Sequence, residues 1–287
     1  MAEILSGKSV AAALCEALRE ETEIMKVNGL QPTLCVVRLG EDPSDLAYEK
    51  GIMNRAGTVG VQEVNRVLPV DTDADALAAV LKELSEDDSV HGVLLFRPLP
   101  KALRPFETKI IAALDPRKDV DGMTDGSAAG VFLRKPLGFA SCTPSACMEI
   151  LRYYDIDPAG KHAVVVGRSP VVGRPLSMLL LHKNATVTVC HTGTKDLSAM
   201  TKQAEILVAA AGCEGMIGAE HIAPGAVVLD VGVNWSETLG RYVGDVRFDE
   251  LEAASAVTPV PGGVGAVTTA ILLRNVVQAA KNQQENI

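Results

Sequence analysis

The residues best suited to chemistry in this chain gather in one turn. Val164-Val165-Val166 reads as a buried strand that breaks into Gly167-Arg168-Ser169-Pro170-Val171-Val172-Gly173, and Leu176 to Leu181 continue as the apolar start of a helix. The N–H groups at such a helix start point at one spot and carry the positive end of the helix dipole, so an anionic phosphate is held there. The layout is that of a dinucleotide-binding unit, with an unusual spelling: the second glycine of G-x-G-x-x-G is missing. Arg168 and Ser169 fill the turn instead. The same residues would also serve as an ordinary strand–turn–helix corner of an α/β domain, and the turn alone leaves both readings open.

The next strand bears on the cofactor. Ala185-Thr186-Val187-Thr188-Val189-Cys190 is rich in β-branched residues and runs into His191-Thr192-Gly193-Thr194-Lys195. An NAD site places an Asp or Glu about 20 residues past the phosphate turn, where it grips the ribose 2′-hydroxyl. No acid stands there. Hydroxyls and cations do, and they would hold a 2′-phosphate that a carboxylate would repel. This predicts NADP in preference to NAD, unless Arg168 and Lys195 are merely solvated surface charges.

Positioning such a turn requires alternating strands and helices, and the chain supplies them. Helices are predicted over 9–27, 44–59, 73–85, 143–154 and 266–283. Strands are predicted over 32–38, 62–68, 91–96, 206–210 and 226–231, besides the two already described. Alternation of this kind calls for parallel sheets covered by helices. At 287 residues the chain exceeds one average domain, and 47% hydrophobic residues suffice for two cores. Aromatics make up only 3%, so those cores must be aliphatic.

A net charge of −9 argues against nucleic acid or an anionic membrane as the main partner. The start Met1-Ala2-Glu3-Ile4 does not read as a signal peptide, and no apolar run is long enough to span a bilayer. The six cysteines form no Cys-x-x-Cys pair, which predicts reduced thiols with no zinc site or disulfide frame. A cytoplasmic enzyme is the expectation.

Eight segments taken together resemble the methylenetetrahydrofolate dehydrogenase/cyclohydrolase family of one-carbon metabolism. They are Leu39-Gly40-Glu41-Asp42-Pro43-Ser44 leading to Tyr48, Pro98-Leu99-Pro100, Lys118-Asp119-Val120-Asp121-Gly122, Cys142-Thr143-Pro144-Ser145, the Gly167-Arg168-Ser169 turn, Asp230-Val231-Gly232-Val233-Asn234, Gly244-Asp245-Val246, and Thr258-Pro259-Val260-Pro261-Gly262-Gly263-Val264-Gly265. Each is weak alone; their order and spacing are specific and cover nearly the whole chain. The resemblance implies two α/β domains around a cleft, the C-terminal one a Rossmann-like parallel sheet. Residues 1–142, completed by a helix over 266–287, would bind folate, and residues 143–265 would bind the nucleotide. It further implies a homodimer paired through the nucleotide domains, a small-molecule folate substrate, and no metal.

In that frame Tyr48 would stack on the folate and Asp121 would accept hydrogen bonds from pterin N–H groups. Taken without the family, Tyr48 reads equally as a partly buried helix tyrosine and Asp121 as a turn or cap aspartate. Pro98, Leu99, Pro261, Gly262 and Gly263 would line the substrate. Gly167, Arg168, Ser169, Val172, Gly173, His191, Thr192, Gly232 and Val233 would line the cofactor.

Two departures stand out. The family's hydrolytic step uses a Tyr-x-x-x-Lys helix motif, and four residues past Tyr48 this chain has Ile52. Lys50 lies nearby but on another side of a helix. The assisting glutamine belongs to a Val-Gln-Leu-Pro-Leu-Pro segment, which here reads Leu95-Phe96-Arg97-Pro98-Leu99-Pro100. Phe96 thus replaces the glutamine and Arg97 a leucine. Activating water needs a polar or titratable group in reach, and neither Ile nor Phe is one. The expectation is an NADP-dependent dehydrogenase with weak or absent cyclohydrolase activity. The alternatives are a bifunctional enzyme that uses Lys50 or Arg97 and forms 10-formyltetrahydrofolate, a non-catalytic folate- or nucleotide-binding protein, and a dehydrogenase of another substrate.

Overall fold

The computed structural model describes residues 2–285 and divides into two compact units. One comprises the residues up to Ala12 together with Thr143–Thr268; the other comprises Ala13–Cys142 and the chain from Thr269 onward. The chain passes from one unit to the other between Cys142 and Thr143, and the first twelve residues go with the unit that follows. The cause is β1 (Glu3–Ile4), which pairs in parallel with β11 (Ala256–Val257). Two residues are too short for any periodicity to betray a strand.

In the second unit, a fully buried strand β2 (Thr33–Leu39) lies between β3 (Gln62–Leu68) and β4 (Gly92–Leu95), all parallel. The helices between them start where the sequence puts caps. In α2 (Pro43–Val59), Asp42 accepts from the Ser44 N–H, Pro43 fits the first turn, and Gly60 closes the end in the left-handed region. In α3 (Ala74–Glu86), Asp73 accepts from the Ala76 N–H. Leu77, Leu81 and Leu84, at helical spacing, pack on Cys35, Val37, Val93 and Leu95 from one face of the sheet. Helix α1 (Gly7–Val27) starts two residues before its predicted position. After β4 come the short helices α4 (Glu107–Ile111) and α5 (Asp125–Leu133).

The first unit is a six-stranded parallel sheet in the order β1-β11-β8-β7-β5-β6. Its central strands β5 (His162–Val166), β7 (Ile206–Ala209) and β8 (Val227–Asp230) are almost wholly buried, as strands covered on both faces must be. β6 (Thr186–Cys190) borders β5. The helices of this region are α6 (Cys142–Tyr153), α7 (Gly173–His182) and α8 (Leu197–Thr201), while α9 (Val264–Gln284) begins here and from Thr269 onward belongs to the second unit. A hairpin, β9 (Asn234–Ser236) with β10 (Arg241–Val243), stands apart from the sheet, and no sequence pattern announces it. Among the described residues no helix is long and apolar enough to cross a membrane.

Candidate active site

Strand order sets the location in the first unit. β5 is followed in sequence by β6 on one side and flanked by β7 on the other, so the order in which strands are added reverses between β5 and β7. Ligands of open α/β sheets bind beyond the carboxyl ends of the strands at such a point. Gly167 leaves β5 there with φ +133°, and a Cβ on it would lie 2.1 Å from the Ala210 carbonyl oxygen, just past β7. Only glycine lets the two strand ends approach so closely.

The helix start beyond it differs from the expectation of freely converging N–H groups. Ser169 Oγ accepts from the Val172 N–H at 3.1 Å and from Gly173 N–H at 3.4 Å, while Pro170 and Pro175 have no N–H to offer. Ser169 therefore caps α7, and Val172 spends its N–H on that cap. The exposed Arg168 is the cation left at the turn.

The end of β6 is likewise part committed. His191 N–H donates to Thr194 Oγ1 at 2.8 Å, and His191 Nδ1 accepts from the Gly193 N–H at 3.0 Å. That bond leaves the proton of a neutral His191 on Nε2. Thr192 and Lys195 are exposed. The nearest acid, Asp196, caps α8 by accepting from the Ala199 N–H at 3.1 Å. The donor set around the turn is thus hydroxyl and cationic, with the one nearby carboxylate engaged elsewhere, and it fits a phosphorylated ribose.

Two carboxylates overlooked as functional residues hold the remaining loops. Asp245 accepts from the N–H groups of Ala211, Gly212 and Cys213 at 2.7–2.9 Å and from Asn234 Nδ2 at 2.9 Å. Asp230 accepts from Gly232, Asp245 and Val246 N–H groups at 3.0–3.1 Å. Burial pushes the Asp230 carboxyl up to about 7, against the pull of those N–H donors. Gly232 is buried in this knot and Val233 is exposed beside it. The signal was present in Gly244-Asp245-Val246, whose acid sits in an apolar setting. Gly262 accepts from the Gly7 N–H at 2.9 Å; Pro261 is exposed and Gly263 buried, just before α9. These three belong to the first unit.

The second unit brings Tyr48, Phe96, Arg97, Asp121 and Cys142 together, again past the carboxyl ends of parallel strands. Tyr48 rises from α2, which follows β2; Phe96 and Arg97 follow β4. The Tyr48 and Phe96 rings are 5.4 Å apart at 39°. Phe96 is buried while Tyr48 keeps 48% of its surface exposed, so the tyrosine presents a face backed by a second ring. Burial pushes the Tyr48 hydroxyl up to about 12, helped by the Asp121 charge and opposed by a hydrogen bond to Thr269. It stays protonated at every physiological pH.

The Asp-Val-Asp pair divides its labour. Asp119 is fully buried and accepts from Met123 N–H, Thr124 N–H and Ser127 Oγ at 2.7–2.9 Å. Asn275 donates to the Val120 carbonyl at 2.8 Å. The turn is therefore built by Asp119, and the Asp121 carboxylate remains partly exposed, 3.7 Å from Arg97. Burial raises the Asp121 carboxyl, and Arg97 and a Cys142 hydrogen bond pull it back.

Ile52 is fully buried, in the stripe Glu49, Ile52, Ala56 and Val59 that seats α2 on the sheet. Lys50 is exposed. Leu99 requires a correction: its side chain lies wholly within the core beside Leu95 and Leu103, withdrawn from any ligand, and only Pro98 of that pair is exposed. Among the described residues no group of three or more His, Cys, Asp or Glu gathers as a metal site.

A glycine turn at the switch point of a parallel sheet, beside a hydroxyl- and cation-rich strand end, defines a protein of the Rossmann-like nucleotide-binding class. Residues 141–284 match the family model described as the tetrahydrofolate dehydrogenase/cyclohydrolase NAD(P)-binding domain, and residues 5–121 match that family's catalytic domain. The chain belongs to the tetrahydrofolate dehydrogenase/cyclohydrolase family. A curated relative from Carboxydothermus hydrogenoformans, named bifunctional protein FolD, is 46% identical over 283 residues, covering 98% of each chain. The crystal structure of the FolD methylenetetrahydrofolate dehydrogenase/cyclohydrolase of Campylobacter jejuni is 38% identical, with a TM-score of 0.93 over 98% of this chain and 99% of that one. The Trypanosoma brucei enzyme, solved with NADP cofactor and inhibitor, is 32% identical, with a TM-score of 0.89 over 98% of each chain.

Proposed function

We propose that this chain oxidises 5,10-methylenetetrahydrofolate to 5,10-methenyltetrahydrofolate with NADP, and hydrolyses the methenyl product poorly. The unit carrying Tyr48 and Asp121 binds the folate, and the six-stranded unit binds the nucleotide. Family membership supports the substrate, and the NADP complex of the Trypanosoma brucei enzyme supports the cofactor. NADP, when bound, takes up the hydride that leaves the methylene carbon.

The lone pair of an adjacent folate nitrogen closes the C=N bond as the hydride departs, so no side chain needs to act as base. The protein's work is alignment. Tyr48, backed by Phe96, offers a stacking face; Asp121 accepts from pterin N–H groups; Arg168 and Thr192 hold the 2′-phosphate. Hydrolysis also needs a polar group beside the reacting carbon. The observation that carries the split is that Ile52 and Phe96 are apolar and buried. Loss of general acid–base help costs about 10²–10⁴ in rate.

The relatives' names favour a second reading, a bifunctional enzyme, in which Arg97 or Lys50 would supply the polar group. A non-catalytic binder fits less well, since the similar proteins are named as bifunctional or dehydrogenase/cyclohydrolase enzymes. We further infer a homodimer paired through the nucleotide units. Six free cysteines accord with a cytoplasmic setting. The test measures two rates with one preparation: oxidation of methylenetetrahydrofolate with NADP and with NAD, and decay of methenyltetrahydrofolate absorbance with and without enzyme. NADP is expected to give the higher kcat/KM, and the enzyme-dependent decay to be at least about a hundredfold slower than oxidation. Decay as fast as oxidation would establish the bifunctional reading instead.

A further inference from the structure

Arg97 stands in the loop after β4. Its guanidinium lies 3.7 Å from the Asp121 carboxylate and 3.6 Å from that of Glu107 on α4. The Arg97 and Asp121 side chains are each 28% exposed, so the pair is half shielded from water. We propose that Arg97 is the positioning residue for Asp121, anchored by Glu107 and holding that carboxylate aimed as a hydrogen-bond acceptor for the folate ring. This rests on the reading of Asp121 as the folate's acceptor.

The surroundings show why a counter-charge is needed. Asp121 is faced by the Tyr48 hydroxyl from α2, by the Cys142 thiol from the start of α6, and by the second carboxylate Asp119 in its own turn. Arg274 on α9 acts on Cys142, and Arg55 on Tyr48. Burial and Asp119 both disfavour a charge on Asp121; Arg97 is the cation that opposes them directly. A protonated Asp121 would lose an acceptor and gain an O–H that competes with the pterin N–H donors. Glu107 keeps the flexible guanidinium beside its target, so that less order has to be imposed when substrate binds.

The experiment compares the wild type with Arg97→Leu and Arg97→Lys. With carboxyl-¹³C aspartate, and Asp121→Asn to assign the signal, the Asp121 carboxyl should titrate at higher pH in Arg97→Leu than in wild type, and Arg97→Lys should restore most of the difference. In the dehydrogenase assay, KM for methylenetetrahydrofolate at pH 7 should rise about twofold to fivefold in Arg97→Leu, the size of a half-screened ion pair. The acid limb of kcat/KM should move to higher pH, and KM should change more than kcat. Coincident carboxyl titrations in wild type and Arg97→Leu would overturn the proposal, as would an unmoved acid limb. A purely structural arginine would lower thermal stability without moving either. If the leucine variant fails to fold, Arg97→Gln replaces it. Should the wild type not oxidise methylenetetrahydrofolate at all, the functional reading falls, while the carboxyl titration still judges the Arg97–Asp121 assignment because it needs no substrate.

Discussion

Individual side chains in this protein are governed by how many partners a buried charge can find. Arg38 and Glu49 form a buried pair at 2.6 Å, and Asn65 adds a donor to Glu49 at 3.1 Å. Glu63, one strand over, has both carboxylate oxygens buried with no hydrogen-bond partner. Burial, with the Glu49 charge, pushes it up to about 7. The sign follows from linkage. The ordinary glutamate value is 4.5, so below that pH Glu63 is neutral in both folded and unfolded chains. Between 4.5 and about 7 the unfolded chain ionises and the folded one resists, so stability falls as pH rises; above about 7 the full cost is present. Glu63→Gln should therefore stabilise the protein by on the order of 1–3 kcal/mol at pH 8 and have little effect at pH 4, read by urea unfolding at both. Equal effects at the two pH values would refute the assignment. No sequence pattern could have revealed this group, since Gln62-Glu63-Val64-Asn65 reads as an edge strand with polar positions outward. Tyr48 and Asp121 were singled out only through family resemblance, and the difference in wiring between Asp119 and Asp121 was not legible at all, because it depends on which carboxylate finds three donors.

Elements with a long period and a capping residue declared themselves in the sequence. Helices α2 and α3 start at Asp42 and Asp73, and strand β3 falls on its predicted residues. What escaped was mostly short: β1 and β11 with two residues each, the β9–β10 hairpin with three in each strand, and the five-residue helices α4 and α8; the nine-residue α5, capped by Thr124, escaped as well. Such pieces take their conformation from neighbours that lie far off in the chain. The turn after β5 was legible as a site, but its wiring was not. The expectation gave the α7 N–H groups to a ligand, whereas Ser169 caps them. Gly167 is the residue on which this element depends. A Cβ there would overlap the Ala210 carbonyl at 2.1 Å, in a backbone conformation at φ +133° that side chains rarely adopt. Gly167→Ala should cost more than about 2 kcal/mol of stability and weaken NADP binding further than folate binding. Thermal melts with and without each ligand separate the two effects. A variant that melts like the wild type and binds NADP normally would show that the turn tolerates displacement from β7.

Association concerns the whole molecule, and it is here that surface apolarity matters. The hairpin of the six-stranded unit exposes Trp235 at 51% and Tyr242 and Leu239 at 55%. Trp235 and Tyr242 pack edge to face with centroids 5.3 Å apart, which holds the side chains rigid and lowers the entropy lost on burial. A patch of this kind on a single subunit marks an interaction surface. The occupant that needs no other protein is a second copy of the same chain, and in the proposed homodimer a two-fold axis through the nucleotide units would make the patch self-complementary. With a net charge of −9 per chain, the contact must rest on apolar burial and not on attraction between whole surfaces, so added salt should strengthen or spare the dimer. Light scattering at micromolar concentration should give twice the 30.2 kDa chain mass. Because Trp235 is the sole tryptophan of the chain, dilution provides an internal probe. Its emission should shift to longer wavelength as subunits separate, and Trp235→Ala with Tyr242→Ala should move the midpoint of dissociation to higher protein concentration by about tenfold or more, the cost of losing two interfacial aromatics. A mass of 30.2 kDa throughout, or an emission spectrum indifferent to dilution while the mass halves, would place the contact elsewhere or remove it.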